Sequence, residues 1–495
     1  MGAIVGTGID AVGSAVTYPF KNGLFARLYE YDNTSPDPWR ALEDDRGRDY
    51  GNELVGLAVS GGGSRSAYFL ACVLDRLRHI AVAPADGGTG AATTLLDEVD
   101  FLSAVSGGSL ASTYYTLLRP DSSEPAALDA FFRQFRQDMR LDFEMRSVGR
   151  TLLMGRAIPL ILTHYHRGHV LAEVFDSNFF HDATFADLPA PGPRRPTLIV
   201  NATSYSRGNK FLFTRLPTGR FNDSRLMRGV RELKLIRGNS TELHRPFENT
   251  GFDTIASDIA SFPLSYAVAA SAGVPSLLGP TVLKDKSRAD ADLFEELGDG
   301  GLYDNYGLET LVQLFATILE ERPGMKARII VVDASSFFEA QVDRPEYTVA
   351  DYADRIASIA WLRTSDYTEM LYRTLGSIDL KRLEKVAEEG TGGLSFGARQ
   401  SPFRNLDLQV VSLFHQPETL TAADLRDDLP SRPSVVAKVY KSLVPEPIRN
   451  PAGFIVNLNQ EVRGIGTRFS IGDEAADLVD AQAELAVRDV LVPSQ

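Results

Sequence analysis

Two short turns rich in small residues contain the residue types that acyl transfer through a serine requires. One is Ser-Gly-Gly-Gly-Ser-Arg at residues 60–65, and the other is Ala-Val-Ser-Gly-Gly at residues 104–108. Hydrolysis of an ester by a serine needs a nucleophile, a base that accepts its proton, and N–H donors for the developing oxyanion. Glycines after a strand leave backbone N–H groups free to face an anion. The first turn therefore predicts the oxyanion donors, which are Gly61, Gly62 and Gly63.

The second turn presents Ser106 as the candidate nucleophile. It follows the apolar run 101–105, and the glycines after it are small enough for a sharp strand-to-helix turn. Such a turn would lift the hydroxyl clear of the sheet. Ala104 stands where these elbows usually have glycine, a difference of one methyl group that a negative φ would accommodate. Taken alone, the pattern is also compatible with a tight turn in which Ser106 only caps the following helix.

The triple glycine has a second interpretation, as a phosphate-binding loop. No Lys-Ser or Lys-Thr pair follows it, and residues 61–66 lack the third glycine of the dinucleotide fingerprint, so nucleotide binding is the minor alternative. Arg65 stands where the predicted helix begins, an unfavourable place for a cation because of the helix dipole. It indicates either a nearby anion or an exposed, solvated side chain.

The candidate base is an aspartate rather than a histidine. Of the seven histidines, three cluster at residues 164–169, and none has a setting typical of a catalytic triad. The cluster contains Arg167 and no acidic residue, so we expect a polar loop there and no metal site. Asp299 lies among glycines, between a predicted strand and a helical run that starts at Leu308. A glycine-flanked aspartate is often only a turn, but here it is predicted at the end of the sheet, where ligands of α/β folds bind.

The segments around these turns predict an α/β fold with a mainly parallel sheet. Helical periodicity covers residues 66–80 and 308–315, and a capping box at residues 470–473 is predicted to open a last helix that ends near residue 490. Residues 346–390 predict one or two further helices. Strand and helix alternate along the chain, which favours parallel pairing. Apolar runs typical of buried strands are residues 54–59, 101–105, 196–203, 328–333 and 408–413.

The domain organisation is predicted to be simple. Residues 1–50 are expected to form an N-terminal arm, and residues 51–495 one elaborated α/β domain with a mainly helical insertion or cap at about 120–196. No linker is long or polar enough to separate two domains. The first thirty residues lack a basic start and contain Asp10 in their apolar part, so we expect no signal peptide.

Composition excludes several classes of protein. The 495 residues are 44% hydrophobic and 23% charged, as in ordinary globular proteins. Cys72 is the only cysteine, which excludes an intramolecular disulfide and a cysteine metal cluster. The net charge of -14 opposes binding to nucleic acid. The stretch 205–245 is nevertheless locally basic.

In this order, the motifs resemble those of the patatin-like phospholipase family, lipid acyl hydrolases related to cytosolic phospholipase A2. The resemblance extends from residue 54 to about residue 485 and implies a three-layer α/β/α fold with a mainly parallel central sheet. The segments that carry it are 61–65, 105–109 and 299–301, with supporting segments at 198–203 and 267–275.

The resemblance implies a Ser/Asp dyad that works without a histidine, metal or cofactor. Asp299 would accept the proton of Ser106 as the hydroxyl attacks the ester, and water would then hydrolyse an acyl-serine. The implied substrate is a phospholipid or lysophospholipid. A neutral-lipid or small-ester hydrolase and a catalytically idle lipid-binding protein of the same fold are the alternatives. The other implied site residues are the oxyanion glycines and an arginine that steadies their loop or binds the substrate phosphate, namely Gly61, Gly62, Gly63 and Arg65.

Contact with a membrane is a further expectation. Residues 145–161 combine three arginines with apolar side chains, a mixture suited to a membrane interface, although core packing is the commoner use of such side chains. We expect a cap that opens on lipid, with the basic stretch 205–245 offsetting the acidic net charge. The predicted location is cytoplasmic, with peripheral contact to a membrane. The sequence predicts no oligomeric state.

Overall fold

A computed structural model of the chain describes most of the predicted domain. The described residues are 43, 45–51, 53–82, 93–142, 146, 167–232, 247–274, 280–288, 290, 293–335, 355–356, 358–364, 366–367, 370, 402–417, 420, 435–443, 451–466 and 470–492. The N-terminal arm up to residue 42, nearly all of the segment 145–161 and the end of the basic stretch at 233–246 lie outside them.

A central sheet organises the described residues, with the strand order β11-β10-β1-β4-β5-β6-β7, while β9 pairs with β5 and β8. The five strands from β11 to β5 are parallel, and β6, β8 and β9 add antiparallel pairs. The mainly parallel sheet predicted from the sequence is therefore confirmed. The strands are β1 (Glu53–Val59), β2 (Ala81–Val82), β3 (Thr93–Thr94), β4 (Phe101–Val105), β5 (Thr197–Ser204), β6 (Asn209–Thr214), β7 (Thr250–Gly251), β8 (Thr281–Asp285), β9 (Leu293–Asp299), β10 (Lys326–Asp333) and β11 (Leu406–Ser412).

Helices cover both faces of this sheet. They are α1 (Gly63–Leu77), α2 (Gly107–Leu118), α3 (Pro125–Asp138), α4 (Arg167–Phe175), α5 (Gly219–Asn222), α6 (Arg225–Glu232), α7 (Leu264–Ser271), α8 (Gly301–Asp304), α9 (Leu308–Glu321), α10 (Val435–Leu443), α11 (Pro451–Gly464) and α12 (Asp473–Leu491). A π-helical turn, Asp176–Phe180, extends α4.

Side chains of β1 alternate between two hydrophobic cores, as the period of a strand requires. Val55, Leu57 and Val59 pack in the core that contains α1, α2 and α12. Leu54 and Ala58 point to the opposite face and pack in the core that contains α9. The sheet is thus the middle layer of a three-layer α/β/α fold, as expected.

Within the described residues the predicted elements are largely confirmed, with two differences at helix starts. Most of the segment 346–390, where one or two helices are predicted, lies outside the described residues. The helix expected from residue 66 begins already at Gly63, so the glycine turn leads directly into it. The capping box at 470–473 is wrong: the N-cap of α12 is Gly472, and no side chain caps that helix. Glycine has no side-chain acceptor for the free N–H groups. In the predicted insertion, α3 buries Phe132 and Phe135 in the main core.

The basic stretch after residue 205 contributes to the interior of the protein. Lys210 is buried, and its Nζ lies 2.9 Å from the Glu309 carboxylate. The described cations of this stretch that form internal ion pairs are Arg207 with Asp285 and Glu295, Lys210 with Asp304 and Glu309, Arg215 with Glu43, and Arg220 with Asp45 and Glu321. These four side chains therefore do not supply the surface charge that we expected from them. Among the helices described, none combines the length and the apolar character needed to cross a membrane.

Candidate active site

The candidate nucleophile lies at a strained turn between β4 and α2. Ser106 has φ 51° and ψ -124°, a conformation that residues with a side chain seldom adopt. Only 7% of its surface is exposed. Ala104 lies inside β4 and has a negative φ, so its methyl group fits the strand without strain. The elbow predicted from the sequence is present, and a strained residue at such a turn points to function.

The candidate base reaches the same place through the register of the sheet. Val105 is the last residue of β4 and pairs with Asn201, whereas Asp299 is the last residue of β9 and pairs with the next residue, Ala202. Since β6 covers the other edge of β5, β4 and β9 share one edge and run toward each other. Their C-terminal ends meet there. The turn that contains Ser106 and the turn that follows Asp299 are therefore neighbours.

The glycine loop lies beside the turn that contains Ser106 and packs tightly against it. A Cβ atom on Gly61 would lie 3.5 Å from the Cβ of Ser106, and one on Gly107 would lie 1.9 Å from the carbonyl oxygen of Gly63. Gly62 has φ 142° and Gly63 has φ 63°, conformations that favour glycine. The three predicted motifs thus converge on one location.

The backbone amides around the nucleophile differ in whether they already have a hydrogen-bond acceptor. The Gly61 N–H donates to the carbonyl of Asn305 at 2.9 Å, so this amide already has a partner. Among the described residues, no acceptor faces the amides of Gly62, Gly63 and Gly107. These amides belong to the first turns of α1 and α2, where the helix dipole also favours negative charge. Gly107 is a candidate donor that the glycine motif at 61–63 does not indicate, although the residue after a nucleophile commonly has this role.

Ser271, which no sequence motif marks, links the turn that contains Ser106 to the turn that follows Asp299. Its hydroxyl accepts a hydrogen bond from the Ser106 N–H at 2.9 Å and donates to the carbonyl of Asn201 at 2.6 Å. Its own carbonyl accepts the N–H of Gly300, the residue after Asp299. In the sequence, Ser271 lies in the segment of small residues at 267–275, which supports the family resemblance.

Asp299 lies in an environment that favours its neutral form. The side chain is deeply buried, and burial raises the pKa of this carboxyl group from 3.8 to about 7. One hydrogen bond opposes the rise in pKa, because the Gly301 N–H donates to Oδ1 at 2.7 Å. A carboxylate with a pKa near neutrality is a much better proton acceptor than an exposed aspartate.

Arg65 is buried behind the glycine loop, with 3% of its surface exposed. Its Nε and Nη2 donate to the carbonyl of Ala334 at 3.2 and 2.9 Å, and Nη1 donates to the carbonyl of Ile465. That Ala334 oxygen lies 2.6 Å from where a Cβ on Gly62 would be. Burial lowers the pKa of Arg65 to about 10. These contacts agree with the role of steadying the loop; contact with a substrate phosphate stays a prediction.

The histidine-rich segment is only partly described. His169 is buried on α4, with its ring edge-on to Tyr266 at 5.9 Å. Within the described ranges, no group of three or more histidine, cysteine, aspartate or glutamate side chains could hold a metal ion.

Comparison with known proteins identifies the family. The family described as patatin-like phospholipase matches residues 57–312, more than half of the chain and the part that contains all three motifs. The chain belongs to the patatin-like phospholipase family. No curated protein matches it.

Solved structures similar to this family member include human GIVD cytosolic phospholipase A2, alone and in complex with methyl gamma-linolenyl fluorophosphonate inhibitor and terbium chloride. Both share 14% sequence identity with this chain, and the TM-scores are 0.42 and 0.38. The matches cover 91% of this chain and 59% of the human chain.

The contact between the elbow and the glycine loop yields a first prediction. Gly107→Ala is expected to lower the free energy of unfolding by about 1–3 kcal/mol, because the new methyl group would overlap the Gly63 carbonyl, even though alanine is the better helix former. Chemical denaturation measures this change. Gly192→Ala is the matched control, since no atom lies within 4 Å of its added Cβ. Equal stabilities of the two variants would contradict the tight packing.

Proposed function

We propose that this protein hydrolyses fatty-acyl esters of phospholipids or lysophospholipids through Ser106 and Asp299. The observation that supports this most directly is the meeting of β4 and β9 on one edge of β5, which makes neighbours of the nucleophile turn and the turn after the buried aspartate. Membership of the patatin-like phospholipase family supports the lipid substrate class. Cytoplasmic location with peripheral membrane contact belongs to the same proposal.

In the first step, the Ser106 hydroxyl attacks the ester carbonyl and its proton passes to the Asp299 carboxylate. The amides of Gly62, Gly63 and Gly107 are the candidate donors to the resulting oxyanion. Collapse of the tetrahedral intermediate breaks the bond to the alcohol, which takes the proton back from Asp299. The product that stays on the enzyme is an acyl-serine. Water then attacks it with the same aspartate as base, and the fatty acid leaves.

The energetic contributions differ between the two parts of this site. Each amide aimed at the oxyanion contributes about 3–4 kcal/mol of transition-state stabilisation. A positioned base contributes about 10²–10⁴-fold in rate, most effectively when its pKa is near the working pH. The rise of the Asp299 pKa to about 7 therefore offsets the weakness of an ordinary aspartate as a base.

Incubation of the purified protein with a mixture of phospholipids, lysophospholipids, triacylglycerols and a short-chain ester tests the proposal. Mass spectrometry should detect free fatty acid together with lysophospholipid or the glycerophospho-alcohol. Release from triacylglycerol or the short-chain ester alone would favour the neutral-lipid or small-ester alternative. Binding to lipid vesicles without any release would favour the idle lipid-binding protein.

The pH dependence of hydrolysis follows from the pKa of Asp299. The base must be ionised, so kcat/KM should rise about tenfold per pH unit below pH 7 and level off above it. A soluble ester substrate and a buffer series from about pH 5 to pH 9 measure this profile. The far-UV circular dichroism of the protein, recorded across the series, controls for unfolding. A rate independent of pH between 5 and 8 would contradict Asp299 as the base.

Ser271→Ala tests the link between the two turns. Loss of its hydroxyl removes the acceptor for the Ser106 N–H, so the strained turn relaxes and kcat should fall about 10–100-fold with little change in KM. Ser265→Ala is the control, because Ser265 is buried on the same helix and its hydroxyl has no hydrogen-bond partner among the described residues. Equal kcat values for the two variants would show that Ser271 does not position the nucleophile.

A further inference from the structure

A cavity of about 480 Å³ lies between α1, α3 and the residues before α12, and none of the residues of the proposed mechanism lines it. It has the size of a small-molecule site. Three arginines and no acidic residue line it, which is unusual in a protein with a net charge of -14. The lining residues are Tyr68 from α1, Arg133, Arg136 and Gln137 from α3, Arg140 and Leu141 after α3, and Ile471 before α12.

The hydroxyl of Tyr68 is an unused polar group in this cavity. Tyr68 is 6% exposed and lines the cavity, and its hydroxyl makes no hydrogen bond within the part of the chain that is described. The Nε of Arg140 is a buried donor and has no hydrogen-bond partner among these residues. A buried donor without a partner costs about 1–3 kcal/mol, a cost that a bound acceptor would remove.

The carboxylates that pair with these arginines do not line the cavity. Arg136 pairs with Asp75, a buried residue of α1 that also pairs with Arg78. Arg140 pairs with Asp473, whose side chain is 90% exposed at the start of α12. Solvent screens such a pair, so Arg140 can exchange this partner at little cost. Arg133 is exposed and forms no ion pair with the described residues.

We propose that this cavity binds a phosphate dianion. Guanidinium groups bind phosphate oxygens through paired N–H donors, and several cations around one cavity favour a dianion over a carboxylate. The Tyr68 hydroxyl would donate to the same group. Leu141 and Ile471 give the cavity an apolar side, which suits a group attached to the phosphate. This phosphate is either the headgroup of a lipid or free inorganic phosphate. This site is independent of the hydrolase chemistry proposed above.

Isothermal titration calorimetry with two probes tests the proposal on the whole 495-residue chain. The probes are inorganic phosphate and the dihexyl ether analogue of phosphatidic acid, which has no ester for any hydrolase to cleave. At least one of them should bind with a Kd below about 1 mM. Binding of the ether lipid alone would identify a lipid headgroup as the ligand, and equal binding of both would identify the phosphate group itself. Absence of binding by both probes would overturn the proposal.

Variants locate the binding. The double variant Arg133→Gln and Arg140→Gln leaves no buried charge without a partner, and it should weaken binding at least about tenfold. Tyr68→Phe removes only the hydroxyl and should weaken binding about 3–10-fold. Arg363→Gln is the matched control, since Arg363 is 77% exposed and lies outside the cavity. Affinity in the double variant equal to that of Arg363→Gln would overturn the assignment to this cavity.

Discussion

Ser106→Ala is expected to lower kcat/KM for ester hydrolysis by about 10⁴-fold or more while the protein stays folded. Removal of a nucleophilic serine leaves only the contribution of substrate binding and the oxyanion donors. The variant retains the backbone hydrogen bond to Ser271, and the shape of the turn does not depend on the hydroxyl. Hydrolysis of a fluorogenic ester measures the rate, and a thermal melt checks the fold.

A fluorophosphonate probe makes this prediction specific to one hydroxyl. The probe should label the wild-type protein covalently and should not label Ser106→Ala. Ser112→Ala is the matched control, because Ser112 is buried on α2, close to Ser106 along the chain, and its hydroxyl has no hydrogen-bond partner among the described residues. It should be labelled like the wild type. Labelling of Ser106→Ala at the wild-type rate would remove Ser106 from the mechanism.

The sequence predicted the parts of the site that local chain geometry determines. The turns at Gly61 and Ser106 each follow a parallel strand and precede a helix. The apolar runs before these turns and the helical spacing of apolar residues after the first of them indicate this order of elements. The C-terminal ends of adjacent parallel strands lie at one edge of the sheet, so proximity of the two turns followed from the fold class. The position of Asp299 was also predicted at a strand end.

The remainder of the site depends on contacts that no local pattern contains. The direction of β9 is opposite to that of β4, and only the pairing of both with β5 brings their ends together. The acceptor of the Gly61 N–H is the carbonyl of Asn305, a residue that is remote in sequence. Arg65 was considered for solvent or substrate, but its guanidinium binds carbonyl groups that follow β10 and α11. Long-range partners of this kind require coordinates.

Asp299→Asn is the second variant for which we expect a large loss of activity, about 10³-fold or more in kcat. Asparagine has nearly the same shape, and its carbonyl oxygen can still accept the Gly301 N–H. It cannot accept the proton of Ser106. The pH dependence of the residual rate should also lose its rise toward pH 7. Retention of wild-type kcat in this variant would exclude Asp299 as the base.

The same substitution should make the folded protein more stable relative to the wild type near neutral pH, although it lowers activity. This difference separates loss of the base from loss of the fold. The pKa of Asp299 is about 7 in the folded protein and near 3.8 when exposed, so the folded state holds a proton that the unfolded state releases between these values. The free energy of unfolding of the wild type therefore falls by about 1.4 kcal/mol per pH unit in this window, and the effect is complete above pH 7. Asparagine does not titrate. The melting temperature of the variant relative to the wild type should thus increase from pH 4 to about pH 7 and then stay level. An inactive variant that is also less stable than the wild type at pH 8 would mean that the carboxylate supports the fold and not the chemistry.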